Sequence, residues 1–216
     1  VESVFHKPSR KQLSYRLPGS STYPGGLCED HNWDPYYSFA QFAYTVDLRA
    51  AADRAVVILT GKGREGIYRF MRIRKTLTFY RERSSLDVVY EYTNEPSSMT
   101  EHDSAWWIHN CLAVAGEPNT ICLPSERGVQ TFAWQPKAKQ FDTWVYNVSR
   151  GWMGILGESG VGAIIDMDFE TLNCLYACFM PDSCTMEWRL NKISMAPGDS
   201  VSTSARVLFV EGLDAV

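Results

Sequence analysis

Apolar and polar residues alternate with period two in one short segment of this chain after another, so strand signals dominate. Residues 40–48 (AQFAYTVDL), 55–61 (AVVILTG), 70–80 (FMRIRKTLTFY) and 86–94 (LDVVYEYTN) follow one another through short polar or Gly-bearing connectors, which predicts an antiparallel meander. Further strands are expected at 104–115, 129–134, 141–147, 151–157, 160–169, 172–179, 184–191 and 200–210. One stretch, 48–55 (LRAAADRA), has the alanine content of a helix, but it is too short to stand alone and reads as a turn or a single helical turn. The sequence MAPGD at 195–199 reads as a turn joining two strands, because Pro197 fixes its own backbone and Gly198 permits an unusual one. GESGVG at 157–162 joins two strands and precedes no helix, so it reads as a hairpin rather than a phosphate cradle.

No Pro/Ser-rich linker, charge block or internal repeat interrupts the pattern. The expectation is a single domain over 1–216, with the turn-rich residues 1–22 as an irregular arm. Many long strands with irregularly spaced turns predict an all-β fold, a large sandwich of two antiparallel sheets with little helix. The chain begins without Met, which suits an excised part of a longer protein.

Composition narrows the function classes. Of 216 residues, 45% are hydrophobic and 21% charged, ordinary globular values. A net charge of −4 offers no long-range attraction for phosphate backbones, so no nucleic-acid partner is expected. No apolar run approaches the roughly 20 residues that cross a bilayer, so no membrane partner is expected. Localisation stays open, leaning cytoplasmic. Cys174 and Cys178, four residues apart on one predicted strand, would sit roughly 13 Å apart. That exceeds the span of a disulfide, about 4.4 to 6.8 Å between Cα atoms. No C-x2-C pair suggests zinc. Free, mostly buried thiols are expected ahead of cross-strand disulfides, with metal last.

Three sites carry candidate chemistry. In AWWIHN, alternation places Trp107 and His109 with Cys111 on one face, and Trp106, Ile108 and Asn110 on the other. An aromatic face can stack on a sugar ring while a nearby His gives or takes a proton near neutral pH. A core Trp beside a hydrogen-bonded His explains the same letters. His31 lies in a stretch with Glu29, Asp30, Trp33 and Asp34 that reads either as a site-lining loop or as a solvated turn. Glu187 falls mid-strand on the face of Thr185 and Arg189, where it is either a functional carboxylate or half of an ion pair, at the surface or with a cation of a neighbouring strand.

The order of these features resembles the galactose-mutarotase-like, or aldose 1-epimerase-like, β-supersandwich superfamily. YPGGLCED, RIRKTLTFYRERSSLDVVYEYTNEPSSM, SAWWIHNCL and CTMEWRLNKISMAPGDS carry the likeness, over residues 23–212. The resemblance implies His109 as general acid, Glu187 as general base and Asp142 as an acid holding a sugar hydroxyl; Trp107 and His31, singled out above from the residues themselves, are expected to line the site with them. It implies a small sugar or oligosaccharide as partner, with no metal or cofactor. A partner domain or homo-oligomer fits it too. Three functions stay open: a sugar 1-epimerase, a non-catalytic carbohydrate-binding domain, and a structural domain of a glycoside hydrolase, phosphorylase or polysaccharide lyase.

Overall fold

The computed structural model describes residues 5–13, 29–31, 42–63, 69–103, 106–135, 139–181 and 184–212. In chain order the strands are β1 (Phe5–His6), β2 (Lys11–Gln12), β3 (Glu29–His31), β4 (Tyr44–Ala50), β5 (Arg54–Lys62), β6 (Met71–Tyr80), β7 (Ser85–Asn94), β8 (His102–Asp103) and β9 (Trp107–Cys111). They continue as β10 (Asn119–Ser125), β11 (Gly128–Trp134), β12 (Phe141–Val145), β13 (Trp152–Gly157), β14 (Val161–Met167), β15 (Leu172–Phe179), β16 (Cys184–Leu190), β17 (Ser194–Met195) and β18 (Ser200–Glu211). Helical structure among the described residues is confined to one 3-10 turn, Phe169–Thr171, capped by the Asp168 side chain.

Two antiparallel sheets form the sandwich. The larger has nine strands in the order β11-β10-β13-β14-β18-β7-β6-β5-β4, and the smaller has five in the order β12-β15-β16-β9-β3. The expected meander is present as β4 to β7, each strand paired with the next. The last strand, β18, returns to lie between β7 and β14. Alternation then sorts the side chains. Ile73, Leu77, Val88, Tyr90 and Tyr92 of the large sheet share one core with Ile108, Leu175, Met186 and Trp188 of the small one. Tyr92 stacks on Trp106 with ring centroids 4.0 Å apart, joining the two layers. Residues 5–13 form a small hairpin whose end is anchored: Leu13 is buried, and Ala113 N–H donates to its carbonyl.

One segment resolves an open reading of the sequence and another differs from it. Residues 48–55 form the turn and not the helical turn; they end β4, turn at 51–53 and begin β5, with Ala51 N–H donating to Arg54 O at 2.8 Å. A helix there would leave the edge of β5 unpaired, and the ladder outweighs alanine's modest preference. Strand β10 was not anticipated, because Pro124 disguises it. Its pairing with β13 covers only Asn119 to Cys122, so the missing N–H of Pro124 falls past that ladder and removes no bond from it.

The turns behave as read. Asp199 N–H donates to Ala196 O, its carboxylate accepts from Ala196 N–H, and Gly198 takes a φ of 97° that side chains disfavour. GESGVG is the β13–β14 hairpin. Cys111, Cys122, Cys174, Cys178 and Cys184 are free thiols; Cys28 lies outside the described residues.

Candidate functional site

The five-stranded sheet has two faces, and the one turned away from the core collects the chemistry. Register sets its rows. Tyr176 of β15 lies opposite Glu187 of β16, which lies opposite His109 of β9. One row along, Cys174, Arg189 and Trp107 stand abreast. On the other side come Asp142, Cys178, Thr185 and Cys111. Strand β3 extends the sheet beyond β9 and puts Glu29 opposite His109 and His31 opposite Trp107.

Glu187 and His109 are therefore direct cross-strand neighbours. His109 Nε2 stands 3.5 Å from Glu187 Oε1, with both residues almost wholly buried, at 3% and 5% exposure. The surface-pair explanation of Glu187 does not apply. Thr185 Oγ1 donates to the same Oε1 at 2.8 Å, and Cys111 Sγ lies 3.9 Å from His109 Nδ1. Burial raises the Glu187 carboxyl to about 7, against the smaller lowering pull of the Thr185 hydroxyl. A carboxyl in that range exists in both protonation states near neutral pH. No gap of sugar size separates the two side chains, so a ligand would lie over the pair rather than between its members.

Aromatic rings flank the pair. Trp107 meets Tyr176 and Trp144 edge to face, with centroids 5.7 and 5.2 Å away, and the Arg189 guanidinium sits 5.8 Å above the Trp107 ring. Trp107 itself is 3% exposed, so it packs within this cluster instead of forming an open platform. The accessible aromatic surface is at the rim, where Trp144 stacks parallel on the exposed Tyr146 at 5.7 Å. Burial raises the Tyr176 hydroxyl, helped by Cys178, and lifts the Cys174 thiol to about 11 against the charge of Arg189. Neither group ionises near neutral pH.

Of the residues singled out in the sequence, Trp107, His109, Glu187 and Asp142 share this face. Asp142 is exposed on β12, the outermost strand, and accepts from Trp144 Nε1 at 3.3 Å; two strand spacings and a step of two residues, about 12 Å in all, separate it from Glu187. His31 is placed by its backbone alone, and its side chain lies outside the described residues. Sequence reasoning put Cys111 on the face of His109 and Thr185 on that of Glu187, but missed Tyr176 and Trp144 as neighbours of the pair. The signal was the alternation of Cys174, Tyr176 and Cys178 against Leu175, Ala177 and Phe179. Among the described residues no cluster of His, Cys, Asp and Glu fits a metal ion. Cavities of about 680 and 450 Å³ open on the nine-stranded sheet instead, the larger around Thr60, Lys62, Phe70 and Arg72. Neither touches the His109–Glu187 pair.

No family model matches the chain, and no curated protein matches it in sequence. Solved structures share its fold. A TPR-domain-containing protein from Parabacteroides distasonis superposes with a TM-score of 0.71 at 15% identity, over 97% of this chain and 43% of that one. The Slr1438 protein from Synechocystis sp. PCC 6803 gives a TM-score of 0.64 at 11% identity, over 92% of this chain and 84% of that one. A candidate aldose 1-epimerase from Klebsiella pneumoniae gives 0.63 at 12% identity, over 78% of this chain and 54% of that one. The chain thus spans about half the length of the Klebsiella protein and less than half of the Parabacteroides one. At these identities the likeness is one of fold, an antiparallel all-β sandwich.

Proposed function

We propose that this domain binds a small sugar on the outward face of its five-stranded sheet and that Glu187 and His109 interconvert the sugar's anomers. The observation that carries the reading is the buried Glu187–His109 contact at 3.5 Å, with the carboxyl raised to about 7. Glu187 as carboxylate takes the proton of the anomeric hydroxyl, and His109 in its protonated form gives one to the ring oxygen. The C1–O5 bond breaks and an open-chain aldehyde forms. After rotation about C1–C2 the two transfers reverse, ring closure occurs on the other face, and both groups regain their starting states. General acid–base transfer works best when the groups titrate near the working pH, and Glu187 meets that condition. The likeness in fold to the Klebsiella candidate aldose 1-epimerase supports the reading.

A second reading is favoured by burial. Trp107 and the pair are nearly closed to solvent, and the matching part of the TPR-domain-containing protein is under half of it. A non-catalytic sugar-binding or structural domain would share those traits. Polarimetry on common hexoses separates the readings. The wild type should accelerate mutarotation, and Glu187→Gln, nearly isosteric, should slow it about 10²-fold or more while sugar binding changes little. Sugar binding without acceleration would leave the binding domain standing. Neither activity would favour the structural domain.

A further inference from the structure

Strand β4 is the outermost strand of the nine-stranded sheet, and the exposed charges of Asp47 and Arg49 are its one blunting device among the described residues. Natural edge strands are shortened, bulged, charged, interrupted by proline or covered. Here seven residues, Tyr44 to Ala50, pair with β5 in unbroken register, with no proline or glycine among them. Residues 45–50 are all exposed, on both faces of the strand. Val46 and Leu48 point the same way as Leu59 and Val57, which pack on the core, yet they are 64% and 66% exposed. Among the described residues the large sheet outruns the small one, and its apolar face continues onto β4.

The free backbone groups follow from the ladder. Ala51 N–H donates inward to Arg54 O, so alternation turns residues 49, 47 and 45 toward β5. The N–H and C=O groups of residues 46, 48 and 50 then point outward. Asp47 and Arg49 project from the opposite face to Leu48, flank it, and pair with each other at 2.7 Å.

We infer that β4 is a self-complementary dimer edge: two copies pair antiparallel about a two-fold axis through Leu48, joining their large sheets into one. A two-fold perpendicular to the sheet keeps each face on its own side and allows only registers that match like-facing residues. Centring on Asp47 would oppose two carboxylates, and centring on Arg49 two guanidiniums. Centring on Leu48 sets Asp47 of each copy against Arg49 of the other, Leu48 against Leu48, and Val46 against Ala50. The ion pairs of the single chain exchange for equivalent pairs between chains, while the outward backbone groups find partners. The other edge, β11, has no charged side chain to choose a register, and its last residue, Trp134, is buried with its indole donating to Met180 O.

One strand pair makes a small interface, so self-association in the micromolar range is expected. Sedimentation equilibrium of the intact protein from about 1 to about 200 µM should show mass rising toward twice the 24.5 kDa chain. Leu48→Lys, or Asp47→Arg, should weaken the dimer about tenfold or more, and the double exchange Asp47→Arg with Arg49→Asp should restore it to within about threefold. Circular dichroism melts identify any variant that fails to fold. Because both positions are exposed, at least one single variant is expected to melt like the wild type. A wild type that stays monomeric throughout overturns the inference. So does a dimer that folded single variants leave intact, or a double exchange as weak as the single one.

Discussion

The two faces of the five-stranded sheet share their backbones and differ in almost everything else. On one face Ile108, Leu175, Met186 and Trp188 merge into the core between the sheets. On the other, the residues one position along, His109, Tyr176 and Glu187, form a compact polar and aromatic cluster. Both faces are buried, so depth does not distinguish them. What distinguishes them is that the outward face encloses groups able to exchange a proton at a cost the core has to underwrite. Dispersion and apolar burial hold the first face, while on the second a carboxyl sits in a setting that resists its charge.

Breaking the core side should have the largest effect. Trp188 is 1% exposed, and Trp188→Ala should lower unfolding free energy by about 3–5 kcal/mol in denaturant titrations, through lost transfer energy and the cavity left behind. The outward side should announce itself through pH. Because the folded Glu187 carboxyl titrates near 7, above the ordinary 4.5, its neutral form is the one the fold favours. That stabilisation is complete below about 4.5 and is lost as pH rises to about 7. Wild type should therefore lose up to about 3 kcal/mol relative to Glu187→Gln over that window, measured as the difference of two chemical denaturation series. A difference that stays flat would remove Glu187 from the group of buried ionising residues.

Smaller changes sharpen the contrast. Thr185→Val removes the hydroxyl that lowers the Glu187 carboxyl, so the midpoint of that pH-dependent difference should move upward, with about 1 kcal/mol of stability lost. At the rim, Asp142→Asn should change stability by less than about 0.5 kcal/mol, since Asp142 is exposed and its contact with the Trp144 indole is long. Any effect of that variant should appear in sugar titrations of tryptophan fluorescence and not in melts.

The sequence made the sheets legible because alternation is a direct imprint of pleating. It separated Trp106 from Trp107 and put His109 on a face with Trp107, which is where the fold has them. It grouped Glu187 with Thr185 for the same reason. Pairing between strands was out of reach, since no local pattern says that β16 lies between β15 and β9, and the neighbours of Glu187 come from that order. Depth was out of reach as well. Trp107 read as a floor for a ligand, and Glu187 kept a surface explanation, because whether the outward face is covered depends on segments remote in sequence. Strand β10 was lost to Pro124, although Asn119, Ile121 and Leu123 alternate there and are buried.

At strand β9 adjacent residues serve opposite sides: Trp106, just before it, and Ile108 are locked into the core while Trp107 and His109 lie on the outward face. Sliding β9 by a single residue would drive the imidazole into hydrocarbon and expel an indole, so the contact between His109 and Glu187 has no soft coordinate of its own. It can be lost only when the sandwich itself opens. Amide hydrogens of His109 and Glu187 should then exchange with solvent only through global unfolding, tracking denaturant with the full unfolding slope, while those at the 51–53 hairpin tip exchange through local fraying.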